Sequence, residues 1–184
     1  MNIVNIEVKS SVENPEEICL LLSDKNARFK GEDNQIDTYF KIESGRLKIR
    51  QGNIENYLIH YFRPESKNIK RSAVRLQELP LASDGLLQML TLIHGVLVTV
   101  KKSRKIFYIE NVKFHVDRVE ELGHFIEIEA CDQEGKFSES YLRSQCDFYI
   151  RYLGLKKENF IDLSYSDMLM SKLKARSNKL ELAM

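Results

Sequence analysis

The chain has 184 residues, enough for one domain with a substantial core, and its 28 basic and 27 acidic residues leave a formal net charge of +1. That balance excludes a strong overall field for nucleic acid, and 43% apolar with 30% charged residues excludes disorder. No apolar run is long enough to cross a bilayer. Three scattered cysteines, Cys19, Cys131 and Cys146, lack metal-ligand spacing and fit a reducing cytoplasm better than a disulfide framework. The opening MNIVNIEVK carries an acid and no apolar core of signal-peptide length. The expectation is one cytoplasmic domain over residues 1–184, with neither nucleic acid nor membrane as its partner.

Ile3 to Ser10 alternates, with Val4, Ile6 and Val8 on one face and Asn5, Glu7 and Lys9 on the other, which predicts a strand. Asn14 then offers an N-cap, Pro15 a first helical residue, and Glu16 and Glu17 the acids that suit a first turn, predicting a helix to about Asn26. Three strands follow: QIDTYFKI, RLKIRQ and NYLIHYFR, with turns at Gly45 and at Gly52 and Asn53. Lys70 to Leu79 predicts a further strand, and Ser83, Asp84 and Gly85 open a helix that Gly95 closes. VLVTVKK and KIFYIEN read as strands either side of a tight turn around Ser103. Asn111 to Glu129 reads as a hairpin joined near Gly123. Ser138 to Leu153 is predicted helical, with Leu142, Cys146, Tyr149 and Leu153 near one face, and a last helix begins at Ser166. Strands with helices between and after them give an α+β fold with a mainly antiparallel sheet.

Most of these strands pair an apolar phase with a charged one, ordinarily a core side and a wet side. Two features argue otherwise. RLKIR places Arg46, Lys48 and Arg50 on consecutive same-face positions, and FIEIE does the same with Glu127 and Glu129; each set repels itself unless a counter-charge sits there. If the sheet closes with this phase inward, the lumen holds Glu7, Lys9, Lys48, Arg50, Arg63, Lys70, Lys102, Arg104, Asp117, Glu127 and Glu129. Empty, such a lumen is prohibitive. A polyphosphate on the cations and a hard divalent ion on the carboxylates would balance it.

These segments, in this order, resemble the CYTH superfamily, the triphosphate tunnel metalloenzymes, and within it the class IV adenylyl cyclase-like branch. The carrying residues are the ExExK-like Asn5, Glu7 and Lys9; QIDTYF; GRLKIR; HYFRP with Arg63; KRS with Lys70; VKKSRKIF with Lys102 and Arg104; NVKFHVDRVEELG with Asp117; FIEIE; and SYSDML from Ser164 to Leu169. The resemblance implies an eight-stranded antiparallel β-barrel, a triphosphate tunnel with helices packed outside. It implies Mg²⁺ or Mn²⁺ on Glu7, Glu127, Glu129 and Asp117. Lys9, Lys48, Arg50, Arg63, Lys70, Lys102 and Arg104 would grip the phosphates, with Lys9 and Asp117 as the catalytic candidates. The implied activity is adenylyl cyclase-like, ATP to cyclic AMP and pyrophosphate. The alternatives are a triphosphatase acting on tripolyphosphate, nucleoside or thiamine triphosphate, and a non-catalytic nucleotide or polyphosphate binder. The last is raised by Asn5, which stands where the family has a first glutamate. The cyclase branch also suggests a homodimer.

Overall fold

The computed structural model describes residues 4–62, 74–81, 83–132 and 135–181. Eight strands are described: β1 (Val4–Ser11), β2 (Arg28–Phe40), β3 (Arg46–Gln51), β4 (Tyr57–Tyr61), β5 (Val74–Glu78), β6 (Val96–Ile109), β7 (Val112–Val119) and β8 (Gly123–Asp132). They form one antiparallel sheet in the order β1-β8-β7-β6-β2-β3-β4-β5. The fold is the expected α+β arrangement with a curled eight-stranded sheet. Its two outer strands, β1 and β5, border one cavity, although among the described residues no β-ladder joins them.

Among the described residues four α-helices accompany the sheet: α1 (Pro15–Asp24), α2 (Asp84–His94), α3 (Glu139–Tyr152) and α4 (Tyr165–Glu181). Their starts follow local chemistry. Asn14 Oδ1 accepts the Glu17 N–H at 3.3 Å, and Ser138 Oγ accepts the Tyr141 N–H at 3.2 Å. No helix in the described residues is long and apolar enough to cross a membrane.

The apolar phase of the strands faces the helices. Ile6 of β1, Phe114 and Val116 of β7, and Ile126 and Ile128 of β8 pack with Ile18 and Leu22 of α1 and Leu142 and Cys146 of α3. Each fully buried Leu, Ile or Phe there stabilises the fold by about 1.5–3 kcal/mol. A second cluster sets Tyr165 and Leu169 of α4 against Val98, Val100, Val119 and Phe125, which fixes the start of α4 over one end of the sheet. Because helices cover the apolar phase, the charged phase turns inward. It is not a wet face: Lys9, Asp37, Lys48, Lys102, Arg104 and Asp117 are all buried.

Two boundaries depart from expectation. The turn around Ser103 does not exist: VLVTVKK and KIFYIEN are one continuous strand, β6, because Ser103 pairs with Asn34 of β2 and Arg118 of β7. β2 begins at Arg28 rather than Gln35, its early part bent by an irregularity between Phe29 and Gly31. β4 is described over Tyr57–Tyr61 and β5 over Val74–Glu78, within the expected strands; Arg63 and Lys70 lie outside the described residues.

Candidate active site: a charged cavity walled by the sheet

Alternation along paired strands brings distant charges together. Lys48 and Arg50 project from β3, Lys102 and Arg104 from β6, Glu7 and Lys9 from β1, and Glu127 from β8, and all seven line one cavity. Asp37, Tyr39, Ile59, Tyr61, Val74, Leu76, Ser164 and Tyr165 complete its wall. Among the predicted site residues in the described part of the chain, Asp117 and Glu129 are not on that wall. Arg63, Lys70 and the side chain of Asn5 lie outside the described residues; the backbone of Asn5 pairs with Cys131.

The cations are not bare. Asp37 Oδ2 accepts from Lys48 Nζ at 2.7 Å and Lys102 Nζ at 2.9 Å, while Arg50 spans both Asp37 oxygens at 2.8 and 3.0 Å. Arg50 also donates Nη1 to Glu55 at 2.9 Å, and Glu55 is reached by Lys113 at 3.1 Å. Arg104 grips Asp117 at 2.7 and 2.5 Å and Glu127 at 2.8 Å, and Lys9 pairs with Glu127 at 2.9 Å. Sequence reading had too few carboxylates for these cations, because it overlooked Asp37 and Glu55. Among the described residues, five cations and three carboxylates line the cavity, which leaves a cationic excess. Each buried ion has a partner, which is what makes the burial tolerable.

Burial alone would raise the Asp37 carboxyl, but Arg50, Lys102 and Lys48 override it and hold the group well below the usual carboxylate range. The lysines move the other way. Burial lowers Lys102 to about 7 and Lys48 to about 8; Asp37 offsets this only in part, since each lysine also meets other cations. One carboxylate is shared among three cations, so it gains more than any one of them.

The other carboxylates divide by surroundings. Burial would raise Glu127, whose side chain is 12% exposed, but Lys9 and Arg104 hold it low. Glu129 is pushed up by burial and then by Glu7, which stands directly opposite it in the β1–β8 ladder. Two carboxylates set opposite each other in this way form a donor set that fits a hard divalent cation in charge and atom type. Among the described residues, no three acidic, histidine or cysteine side chains already converge as a ready-made metal cage.

The start of α4 closes one side. The Tyr165 hydroxyl donates to Asp117 at 2.8 Å, and Lys9 Nζ sits 4.2 Å from the Tyr165 ring centroid. Arg46, on the same phase of β3 as Lys48, does not reach the cavity. It is drawn to α4, where it donates to Ser164 and Ser166 at 2.9 Å and to both oxygens of Asp167 at 2.7 and 2.9 Å. Sequence reading missed Asp37, Glu55 and the role of Tyr165. The first was detectable: Gln35, Asp37 and Tyr39 share a strand phase beside the cations of β3.

Residues 4–165 match the family known as the CYTH domain. No curated protein matches the chain by sequence. Among solved structures it is similar to the PH1012 protein of Pyrococcus horikoshii OT3, at 27% identity over 89% of this chain and 98% of that one, with a TM-score of 0.78. It is also similar to a Vibrio parahaemolyticus protein designated an adenylate cyclase, at 17% identity over 90% and 97% of the two chains, TM-score 0.71. A third is HpAC1 of Hippeastrum, designated an adenylyl cyclase and described as having a dominant triphosphatase activity, at 15% identity over 94% and 96%, TM-score 0.66.

Proposed function

The chain belongs to the CYTH domain family, and from that premise we propose that it is a divalent-metal-dependent enzyme acting on a nucleoside triphosphate within the cavity. One observation carries the substrate class: the cavity has two unlike walls. Lys9, Lys48, Arg50, Lys102 and Arg104 supply donors for phosphate oxygens, while Ile59, Val74 and Leu76, with Tyr61, supply an apolar surface beside them. Inorganic tripolyphosphate has no use for the second wall. A nucleoside does.

The reaction proposed first is adenylyl cyclisation, in which the ribose 3′-oxygen attacks the α-phosphorus and pyrophosphate leaves. Lys9 lines the cavity and, as the neutral amine with its proton passed to solvent, would take the proton that the ribose 3′-hydroxyl loses; Asp117, tied to Arg104 and Tyr165 behind the wall, acts by holding Arg104. The cations take up charge that builds on the transferred and leaving phosphates. Mg²⁺ or Mn²⁺ bound at Glu7 and Glu129 would withdraw further charge from the phosphate oxygens. Hydrolysis of the triphosphate is the second reading, supported by the likeness to HpAC1 with its dominant triphosphatase activity.

Incubation with ATP or tripolyphosphate and Mg²⁺ or Mn²⁺, followed by separation of products, decides among these. Cyclic AMP with pyrophosphate supports the cyclase, and orthophosphate the triphosphatase. Tight binding without turnover leaves a binder, the outcome Asn5 would favour. Neither binding nor turnover sinks the proposal.

A further inference from the structure

The loop from Gly52 to Asn56, between β3 and β4, is tied down by a dense set of hydrogen bonds. The Gly52 N–H donates to Asn56 Oδ1 at 3.1 Å, and Asn56 Nδ2 returns a bond to the Gly52 carbonyl at 2.8 Å. Asn53 bonds the backbone of β2 twice, accepting the Asn34 N–H at 2.6 Å and donating to the Glu32 carbonyl at 3.0 Å. The buried Asp33 carboxylate accepts the N–H groups of Ile54 and Glu55 at 2.8 and 3.1 Å. The loop backbone is thus fixed against β2 without help from the Glu55 side chain. That side chain turns inward, and Glu55 is only 6% exposed.

There it meets the cations where the phosphate-binding wall ends. Arg50 is the last cavity residue of β3 before the loop, and its Nη1 donates to Glu55 Oε2 at 2.9 Å. Oε1 takes Lys113 Nζ of β7 at 3.1 Å, although β6 and β2 lie between β7 and β3 in the sheet. Glu55 therefore bridges the inner side of the curled sheet, and Gln35 Nε2 of β2 bonds it on the way at 3.2 Å. The same Gln35 nitrogen donates to Asp33 at 2.6 Å, which fixes the amide and leaves its buried Oε1 with no donor among the described residues. Past Arg50, then, the lumen presents acceptors, and its two cations are already spent on Glu55. Phosphate oxygens are acceptors too, so they find no partner there. Toward the opposite end, Ser164 and Tyr165 at the start of α4 form part of the wall.

Resting on the triphosphate reading above, we propose that Glu55 is a specificity-determining residue that ends the phosphate track. Its carboxylate takes the place of one further phosphate on Arg50 and Lys113. The cavity accepts the free end of a phosphate chain and does not let a longer chain run through. Its ligands are chain ends: a nucleoside triphosphate with the nucleoside on the apolar wall, or the terminus of an inorganic polyphosphate, but not the interior of that polymer.

Stoichiometry reads this directly, because a linear polyphosphate has two ends whatever its length. Inorganic polyphosphates of two defined lengths, both long enough to hold several protein molecules, are titrated in metal-free buffer, and complex mass is read by analytical ultracentrifugation. Only protein displaced by excess tripolyphosphate is counted, which removes binding elsewhere on the surface. Wild-type protein should load about two molecules per chain at both lengths, one at each end. Glu55→Ala, whose loop keeps its Asp33 and Asn53 anchors, should load more molecules on the longer chain. A wild-type count that grows with length overturns the proposal, and so does a folded Glu55→Ala that stays at two. If circular dichroism shows Glu55→Ala to be unfolded, Glu55→Gln takes its place: it keeps the shape, gives up the charge that holds Arg50 and Lys113, and should also exceed two on the longer chain. A count that stays at two in that variant overturns the proposal as well. Wild-type protein that does not bind tripolyphosphate at all sinks the triphosphate reading, and this one with it; tripolyphosphate binding with a length-dependent count sinks this one alone.

Discussion

Lys102 and Asp37 stand 2.9 Å apart on adjacent strands, both buried, although 65 residues separate them along the chain. With Lys48 and Arg50 on the same carboxylate, they form a charge cluster that exists before any ligand arrives. Asp37 holds three cationic heads at fixed spacing, so part of the cost of gathering like charges is met within the fold.

Asp37→Asn should therefore be strongly destabilising. Removing the shared carboxylate leaves Lys48, Arg50 and Lys102 crowded and under-compensated in a buried site, a loss of about 3–5 kcal/mol. Urea denaturation checks it; a change below about 1 kcal/mol, the level of a surface pair, would contradict it.

Lys102 and Lys48 also make the protein sensitive to pH. They lose their protons near 7 and 8 when folded, whereas an unfolded chain keeps lysine protonated to about 10.4. Above pH 7 the unfolded chain thus binds more protons, and this contribution to stability rises with pH from about 7 toward 10 and is smallest below 7. A bound triphosphate favours the charged lysines, so binding at pH 8 should take up on the order of one proton. Calorimetry in two buffers of unlike ionisation enthalpy measures it; zero uptake or net release is the contrary result.

Arg46 ties α4 to β3. Its bidentate pair with Asp167 is partly exposed, so Arg46→Ala should cost only about 1 kcal/mol, but it should speed amide exchange at the start of α4. Lysine cannot reproduce the fork, so Arg46→Lys should behave like Arg46→Ala rather than like wild type. Hydrogen exchange read by mass spectrometry distinguishes the two outcomes.

Gly52 is required by space. A Cβ there would meet the Asp33 carboxylate oxygens at 2.5 and 2.8 Å and the Glu55 carbonyl at 2.8 Å. Asp33 accepts the N–H groups of Ile54 and Glu55, which sets Glu55 beneath Arg50 and Lys113. Gly52→Ala should shift this loop and destabilise the protein by about 1–3 kcal/mol in thermal or urea unfolding. An unchanged midpoint would show that the loop gives way freely.

Much of this site was legible because a strand has period two. Glu7 with Lys9, Lys48 with Arg50, and Lys102 with Arg104 each fall on one phase, and all reach the cavity. Asp37 obeys the same rule but sits singly in QIDTYF, where one acid on a strand carries no signal until its neighbours are known. Glu55 lies outside any strand, so periodicity has no hold on it. Ser103 was misread because a small polar residue among charges resembles a turn; in the sheet it is an ordinary strand position, and its hydroxyl meets Glu32. Which carboxylate holds which cation depends on side-chain reach across three or four strands, and chain order does not encode that reach.

The central claim is that these cations bind a triphosphate with help from a divalent ion. Its most direct test is calorimetric titration of a non-hydrolysable ATP analogue, with and without Mn²⁺, into wild-type protein and the Lys48→Met, Lys102→Met double variant. The account predicts saturable binding that Mn²⁺ strengthens and the double variant weakens about a hundredfold, on the order of 3 kcal/mol. Binding of equal strength in the two proteins, or no binding in the wild type, would contradict it.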